Sequence, residues 1–319
     1  MNYILYNPKS NNENNDINII HGAEKSEDVG VKKINLLDFD DKAAVAEFCR
    51  GLTDADRVMI CGGDGTLHHF ANNTYGIDFP CPVYALRSGT GNDFLNDLGQ
   101  MSNDELIDLR PFLKDLPEVE VNGEKRRFIN GVGLGIDGRV CVEVDKAKKK
   151  TNKKVSYTPI ALKLLAYDYK RPNARVTVDG VVHEYTKLWM AGTMKGRFFG
   201  GGMMVAPQQD RSSGKVSVMA MHGGSRVKTL AVFSTIFKGT HVKHTEMIDI
   251  FEGNDILVEF ETPSDMQIDG ETVTDVLSYR VRLNAEAGAE AEAAEALAVA
   301  EVAAEAEVAA EAETAEVLA

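Results

Sequence analysis

The chain has 319 residues, 35 Lys plus Arg against 49 Asp plus Glu, a formal net charge of −14 and 44% hydrophobic residues. That length and apolar content allow a substantial core in roughly two domains and exclude wholesale disorder. The acidic total excludes a protein that coats nucleic acid, because neutralising phosphate needs clustered Lys and Arg.

Cys49, Cys61, Cys81 and Cys141 are scattered with no C-x-x-C pair, so neither a zinc site nor a disulfide framework is expected, and a reducing, cytoplasmic setting fits. The N-terminus lacks the basic lead and apolar run of a signal peptide, and no segment reaches the ~18 apolar residues of a membrane span. Any membrane contact is expected from the surface.

Tyr3 to Tyr6 predicts a short buried strand ending at Asn7-Pro8, and Asp41 to Leu52 has helical spacing of Ala, Val and Phe. Arg57 to Cys61 predicts a second buried strand, followed by a glycine turn and a helix from Leu67. Val83 to Leu86 predicts a third strand, followed by another glycine turn and a helix around Phe94 to Leu98. Strand, glycine turn and helix in repetition indicate an α/β layer on a parallel sheet.

From about Glu118 the pattern turns to hairpins. Val119 to Val121 precedes Asn122-Gly123, Val176 to Val178 precedes Asp179-Gly180, and Met266 to Ile268 precedes Asp269-Gly270. Lys187 to Met190, Val216 to Met221, Ile256 to Phe260 and Tyr279 to Leu283 extend the β character, and one helix, Tyr157 to about Tyr169, interrupts it. The expected division is residues 1–115, α/β; residues 116–284, antiparallel β, with the last strand able to return to the first domain; and residues 285–319, a low-complexity tail. That tail holds ten Glu and no Lys or Arg, leaving a net −4 on residues 1–284. Its like-charged i,i+4 pairs, such as Glu286 with Glu290, oppose the helix that alanine favours. A frayed or disordered appendage is expected.

The strongest local signal is Gly62-Gly63-Asp64-Gly65-Thr66 between a strand and a helix. Glycines there let backbone amides approach a phosphate, Thr66 can cap the helix, and the helix N-terminus favours anions. Asp64 would repel phosphate unless a cation or proton donor intervenes, which points to Mg²⁺ or to catalysis. A second loop, Ser88-Gly89-Thr90-Gly91-Asn92-Asp93-Phe94, repeats the design at the carboxyl end of the next strand, where ligands bind in parallel sheets. Neither loop is a P-loop, since no G-x-x-x-x-G-K-[ST] occurs.

Gly133-Leu134-Gly135-Ile136-Asp137-Gly138 matches G-x-G-x-x-G formally, but residues 151–167 contain no acid to complete a dinucleotide fingerprint. Asp137 stays of interest as a carboxylate in a glycine turn. Asp269-Gly270-Glu271 places two carboxylates around a hairpin glycine, and a positioned carboxylate is the usual general base for a hydroxyl nucleophile. His68 and His69, being adjacent on a helix, are expected to point in different directions.

Taken together, these motifs resemble the bacterial diacylglycerol kinase and lipid kinase family, related to sphingosine kinases. The matching residues are Asn7-Pro8-Lys9-Ser10, Gly62 to Thr66, Ser88 to Phe94, the turn with Asp137, Gly200-Gly201-Gly202 to Ala206-Pro207, and Asp269-Gly270-Glu271. NAD kinases and phosphofructokinases carry relatives of the first glycine box, whereas the second box favours lipid kinases.

The resemblance implies an NAD kinase-like α/β domain with a parallel sheet, then an antiparallel β-sandwich, with the nucleotide in the cleft between them. It implies γ-phosphoryl transfer from ATP, with Mg²⁺, to the hydroxyl of diacylglycerol or a similar lipid. Carried over by position, Asn7, Lys9, Gly62, Gly63, Asp64, Gly65, Thr66, Leu67, His68, Gly89, Thr90 and Asn92 would surround the nucleotide. Asp64 and Asp93 would support the metal, Glu271 would be the base, and Asp269 and Asp137 would complete the network. The chain departs from the family at Ser212-Ser213-Gly214, where an Asp normally precedes the glycine of a second, structural metal loop, and at Asn11-Asn12, where a glycine is usual in the first loop.

The alternatives are a soluble-substrate kinase such as an NAD kinase, and a nucleotide-binding regulator without catalysis. Lys146, Lys148, Lys149, Lys150, Lys153 and Lys154, just before the apolar segment 157–169, form a candidate patch for anionic lipid headgroups at the inner membrane face.

Overall fold

In the computed structural model, the described residues are 1–8, 30–39, 42–88, 91–151, 155 and 157–283. The 285–319 tail, Lys9, Gly89, Thr90, Lys153 and Lys154 lie outside them.

Chain order begins with β1 (Asn2–Tyr6), β2 (Val31–Asn35), α1 (Lys42–Arg50), β3 (Arg57–Gly62), α2 (Asp64–Thr74), β4 (Val83–Arg87), α3 (Asp93–Leu98) and α4 (Arg110–Leu113). The four strands lie in the order β2-β1-β3-β4, all parallel, with Leu5 opposite Ile60 and Ile60 opposite Ala85. The apolar runs of β1, β3 and β4 are largely buried on both faces, as a parallel sheet requires, whereas the edge strand β2 carries the exposed Lys32 and Lys33. Leu5, Val58, Ile60, Leu67, Phe70 and Phe94 share one core on one side, and Ile4, Met59, Cys61 and Leu86 pack on the other.

The chain continues with β5 (Glu118–Val121), β6 (Glu124–Arg127), β7 (Gly131–Gly135), α5 (Ile136–Thr151), α6 (Tyr157–Lys163), β8 (Ala174–Val178), β9 (Val181–Tyr185) and β10 (Met190–Met194). It ends with β11 (Phe198–Phe199), β12 (Met203–Met204), β13 (Val216–Met221), α7 (Arg226–Ser234), β14 (Ile248–Gly253), β15 (Asp255–Ile268) and β16 (Glu271–Arg282). A ten-stranded sheet runs β14-β13-β10-β7-β15-β16-β5-β6, with β8 paired to β15 and β9 to β8; β11 and β12 pair separately. The 14-residue β15 pairs with β8 through Ile256 to Phe260 and with β7 through Met266 to Ile268. Register shifts between Glu259 and Met266 bend it between those partners. The bent sheet encloses a core in which Val132, Val176, Val218, Ile256, Val258 and Tyr279 meet.

The three expected hairpins are present, and Asn122, Asp179 and Asp269 each take φ between 46° and 50° ahead of a positive-φ glycine. Both central residues with φ > 0 is the turn that matches strand twist. Four expectations are corrected. The glycine cluster at 133–138 is not a turn: Gly131–Gly135 is a fully buried strand, and Ile136 opens the 16-residue helix α5. Ile136, Val140 and Val144, four apart, carry that helix onto Trp189 and Leu164. A second helix, α7, begins at Ser225, whose hydroxyl accepts from the Lys228 amide. The strand expected at Lys187 starts at Met190, since Lys187 has φ 58°. The helix expected from Leu67 starts at Asp64, with Gly63 at its N-cap, so Thr66 lies inside the first turn and caps nothing.

Ile256 is fully buried opposite Val281 and Val178. Ile256→Ala is expected to lower the unfolding free energy by about 2–5 kcal/mol, read by urea denaturation, with an unchanged m-value.

Candidate functional site

The two glycine loops meet because β3 and β4 are neighbours and both end at the same sheet edge. Asp64 donates its amide to the Gly91 carbonyl at 3.0 Å. Its carboxylate reaches across to the second loop, accepting from the Asp93 amide at 2.8 Å and the Phe94 amide at 3.0 Å. Asp64 thereby satisfies two of the amides left open at the start of α3. The contact needs bare backbone: a Cβ on Gly63 would lie 2.6 Å from the Gly91 oxygen, and one on Gly62 would lie 2.4 Å from the Thr66 Cβ. Thr66, Leu67 and His68 are buried, whereas Gly65 is exposed at the helix start.

The Asp269 hairpin comes to this helix from the other sheet. The buried Asp269 carboxylate accepts from three successive amides, Ile129 at 2.7 Å, Asn130 at 2.9 Å and Gly131 at 3.0 Å, and meets His68 Nδ1 at 2.8 Å. Burial alone would raise its pKa; the His68 hydrogen bond and charge, with the amides, outweigh burial and hold it below the ordinary value. For His68, burial lowers the pKa, but the hydrogen bond and charge of Asp269 outweigh it and the net shift is upward.

The two histidines do not diverge as expected. His69 Nε2 lies 3.1 Å from Glu271 Oε1 and His68 Nε2 lies 4.0 Å from Oε2, so both rings converge on one carboxylate. Arg126 Nη1 is 3.7 Å from Glu271 Oε2. Neither His69 nor Arg126 belongs to a motif, and sequence reasoning missed both as neighbours of Glu271.

Asp93 accepts from the Gly201 and Gly202 amides, each at 2.7 Å. Burial, and then the charge of Asp64, push its pKa up to about 6. The Asp64 carboxyl is also raised, chiefly by burial. Asp97 receives Arg197 Nε at 2.7 Å and the Arg211 guanidinium. Arg211 also donates to the Ile129 carbonyl and, at 2.6 Å, to Asn130 Oδ1, while Asn130 Nδ2 points to Asp64 Oδ1 at 3.3 Å. Asn130, Asp97 and Arg211 were likewise missed, because no local pattern marks residues that meet 81 to 114 positions apart.

Asp64 and Asp93 thus hold backbone amides on both carboxylate oxygens. Among the described residues no three His, Cys, Asp or Glu side chains converge as a metal cluster. The side chains of the described residues therefore do not by themselves build a Mg²⁺ cage. In the departing loop, the Ser212 hydroxyl donates to the Asp210 carboxylate at 2.6 Å, and the Ser213 hydroxyl donates to the Asp210 carbonyl at 2.8 Å.

Asp137 lies in the first turn of α5, packed so closely on Gly133 that a Cβ there would lie 1.7 Å from its Oδ2. Neither of its oxygens has a well-formed hydrogen bond among the described residues. Burial pushes its pKa up to about 7, with nearby amides tempering the shift. Among the side chains whose electrostatics involve it are Gln267, Cys141, Tyr169 and Tyr279, none of them a candidate site residue. A cavity of about 370 Å³ opens beside α2, lined by Asn7, Leu36, Leu37, Phe39, Thr66 and His69 among others. Asn92 sits at the N-cap of α3 without a capping side-chain bond.

Comparison with known proteins matches the diacylglycerol kinase catalytic domain to residues 2–114 and the YegS C-terminal NAD kinase beta sandwich-like domain to residues 130–289. A diacylglycerol kinase of Mycobacterium tuberculosis is 28% identical over 200 residues, 60% of this chain and 63% of that protein, so the match spans under two thirds of the relative. A Staphylococcus carnosus protein assigned as a lipid kinase is 24% identical over 249 residues, 72% of this chain and 77% of the relative. A Bacillus anthracis structure assigned as a diacylglycerol kinase superposes with TM-score 0.63 at 19% identity, covering 88% of this chain and 93% of that one, and shows a shared fold.

The Asp137 shift has a testable sign. A carboxyl whose folded pKa is about 7 against an ordinary 3.8 binds more protons folded than unfolded, so stability falls as pH rises through that window. Asp137→Asn is expected to melt several degrees above the wild type at pH 8, with the gap closing toward pH 4, in thermal scans at both values.

Proposed function

The chain belongs to the diacylglycerol kinase family of lipid kinases, and on that premise we propose that it transfers the γ-phosphoryl group of ATP to the hydroxyl of diacylglycerol or a similar lipid alcohol. The supporting observation is Glu271. Asp64, Asp93, Asp97 and Asp269 are committed to amides, imidazole or guanidinium, whereas the Glu271 side chain is 39% exposed and held by His69 on the helix that carries the glycine loop.

In this reading the first amides of α2, at Gly65 and Thr66, receive the polyphosphate, as helix N-termini do. The cavity beside the same helix takes the nucleotide base. Glu271 accepts the proton of the lipid hydroxyl as that oxygen bonds to the γ-phosphorus. The bond from γ-phosphorus to the β,γ-bridging oxygen breaks, and ADP leaves with the electron pair. Mg²⁺ is expected on the nucleotide's own phosphates, since among the described residues no side chains form a cage for it.

A lipid acceptor lies in a bilayer, and one face of the protein suits its surface. Leu162 and Tyr167 on α6 and the turn after it, Val227 on α7 and Phe237 beyond it are exposed, Tyr167 and Val227 at 79% each. Lys163, Lys170 and Lys238 stand beside them in sequence, as does Lys228, which pairs with Glu246 at 2.7 Å. Arg226 joins the two segments by donating to the carbonyls of Leu165 and Tyr169, both at 2.9 Å. Within the lysine run, Lys146 pairs with Glu143 and Lys148 with Asp145 on α5, which weakens those two as headgroup ligands. Among the described residues no helix is long and apolar enough to cross a membrane.

The reading is tested by ATP-dependent phosphorylation across diacylglycerol, a sphingoid base, phosphatidylglycerol and NAD. Diacylglycerol is expected to be the acceptor, and Glu271→Gln to cut turnover by about 10²–10⁴-fold. Phosphorylated NAD as the only product overturns the lipid assignment, and an undiminished Glu271→Gln rate removes the base. In a separate measurement, co-sedimentation with phosphatidylglycerol vesicles is expected to weaken with added salt and with Tyr167→Asp or Val227→Asp. Binding indifferent to salt and to both variants would discard this face.

A further inference from the structure

Arg211 belongs to no motif, yet its guanidinium is almost wholly enclosed, with the side chain 5% exposed. An enclosed charge is costly unless its hydrogen bonds are complete. Nε donates to Asp97, Nη1 to the Ile129 carbonyl and Nη2 to Asn130 Oδ1, while Cζ stacks 4.4 Å from the Phe94 ring centroid. Gly196 leaves the space, since a Cβ there would lie 2.1 Å from Nη2. The other charged groups around this network are Asp64 and His68 of α2, Asp93 of α3, Asp269 of the hairpin, and Lys195 and Arg197 after β10.

A guanidinium has donors and no acceptor. The Asn130 side chain must therefore present Oδ1 to Arg211, which leaves Nδ2 as the atom that faces Asp64. The reverse orientation would set a donor against a donor at Arg211 and an acceptor against a carboxylate at Asp64. The same guanidinium holds the Ile129 carbonyl, while Asp269 takes the amides of Ile129, Asn130 and Gly131. The 129–131 backbone is thus gripped by a cation through its carbonyl and by an anion through its amides.

We propose that Arg211 is a positioning residue for phosphoryl transfer: through the Asn130 amide it supplies Asp64 with a donor of fixed orientation, and so holds the two glycine loops in register. This rests on the kinase reading of the Asp64 loop.

Two measurements separate the inference from that reading. In steady-state turnover of a dispersed short-chain diacylglycerol, Arg211→Lys, which keeps the charge but loses the fork, is expected to lower kcat about tenfold or more with little change in KM. Asn130→Leu is expected to do the same while leaving Arg211 its Asp97 and Ile129 partners. The double variant is expected to be no worse than the poorer single one, since both break one relay. Additive losses, or wild-type kcat in Asn130→Leu, overturn the proposal even if an Arg211 variant fails to fold.

The second measurement needs no activity. In ¹⁵N-labelled full-length protein the Asn130 side-chain NH₂ is expected to exchange slowly with solvent, and to exchange rapidly in Arg211→Lys. Unchanged exchange refutes the relay. Absence of turnover on every lipid in the wild type refutes the kinase reading and leaves the exchange result to stand on its own.

Discussion

One buried carboxylate ties this molecule together. Asp269 occupies a hairpin turn at φ 46° and its side chain is wholly enclosed, so its charge must be met by the protein. Leaving such a carboxylate unpaired would cost several kcal/mol. Three consecutive amides at the entry to β7 and the imidazole of His68 meet it, and those partners come from different parts of the chain. The hairpin tip, the start of β7 and helix α2 therefore cannot shift independently. Glu271, two residues beyond Asp269, is thereby held in fixed relation to the glycine loop that opens α2, as the proposed role of proton acceptor from an attacking hydroxyl needs.

The other carboxylates follow the same logic with different partners. Asp64 satisfies the start of α3, Asp93 satisfies the amides of the Gly201-Gly202 turn, and Asp97 is shared by two arginines. Each is a crosslink from one loop to another, and together they draw the sheet edge of β3 and β4 onto segments 129–131 and 195–211. The glycines matter here less as flexible links than as positions where a Cβ would collide, as at Gly63 against Gly91 and at Gly196 against Arg211. A site assembled in this way is preorganised, because its dipoles are set by folding and need little reorganisation when charge moves.

Local chemistry was read correctly wherever a short segment decides its own conformation. Asn122-Gly123, Asp179-Gly180 and Asp269-Gly270 form their hairpins because those residues accept positive φ at both turn positions. The apolar runs at 3–6, 57–61 and 83–86 form the parallel strands because only a sheet covered on both faces buries them. Elsewhere one local signal masks another. Glycines at 133 and 135 suggested a turn, but they serve a strand whose backbone is approached by the Asp137 carboxylate and by Trp189, and the i,i+4 stripe of Ile136, Val140 and Val144 was hidden behind them.

By itself, the sequence determined the alternation of strands and helices, the three tight turns, the two glycine loops and the identities of the acids that stand near them, because each depends on residues within a few positions of one another. Tertiary structure alone decided which acid stays partly exposed and which are spent as buried crosslinks, that His68 and His69 turn to the same carboxylate, and that Arg211 closes the network through Asn130. Those outcomes depend on pairings between residues 81 to 201 positions apart, where burial makes every unmet charge expensive and so selects the partners.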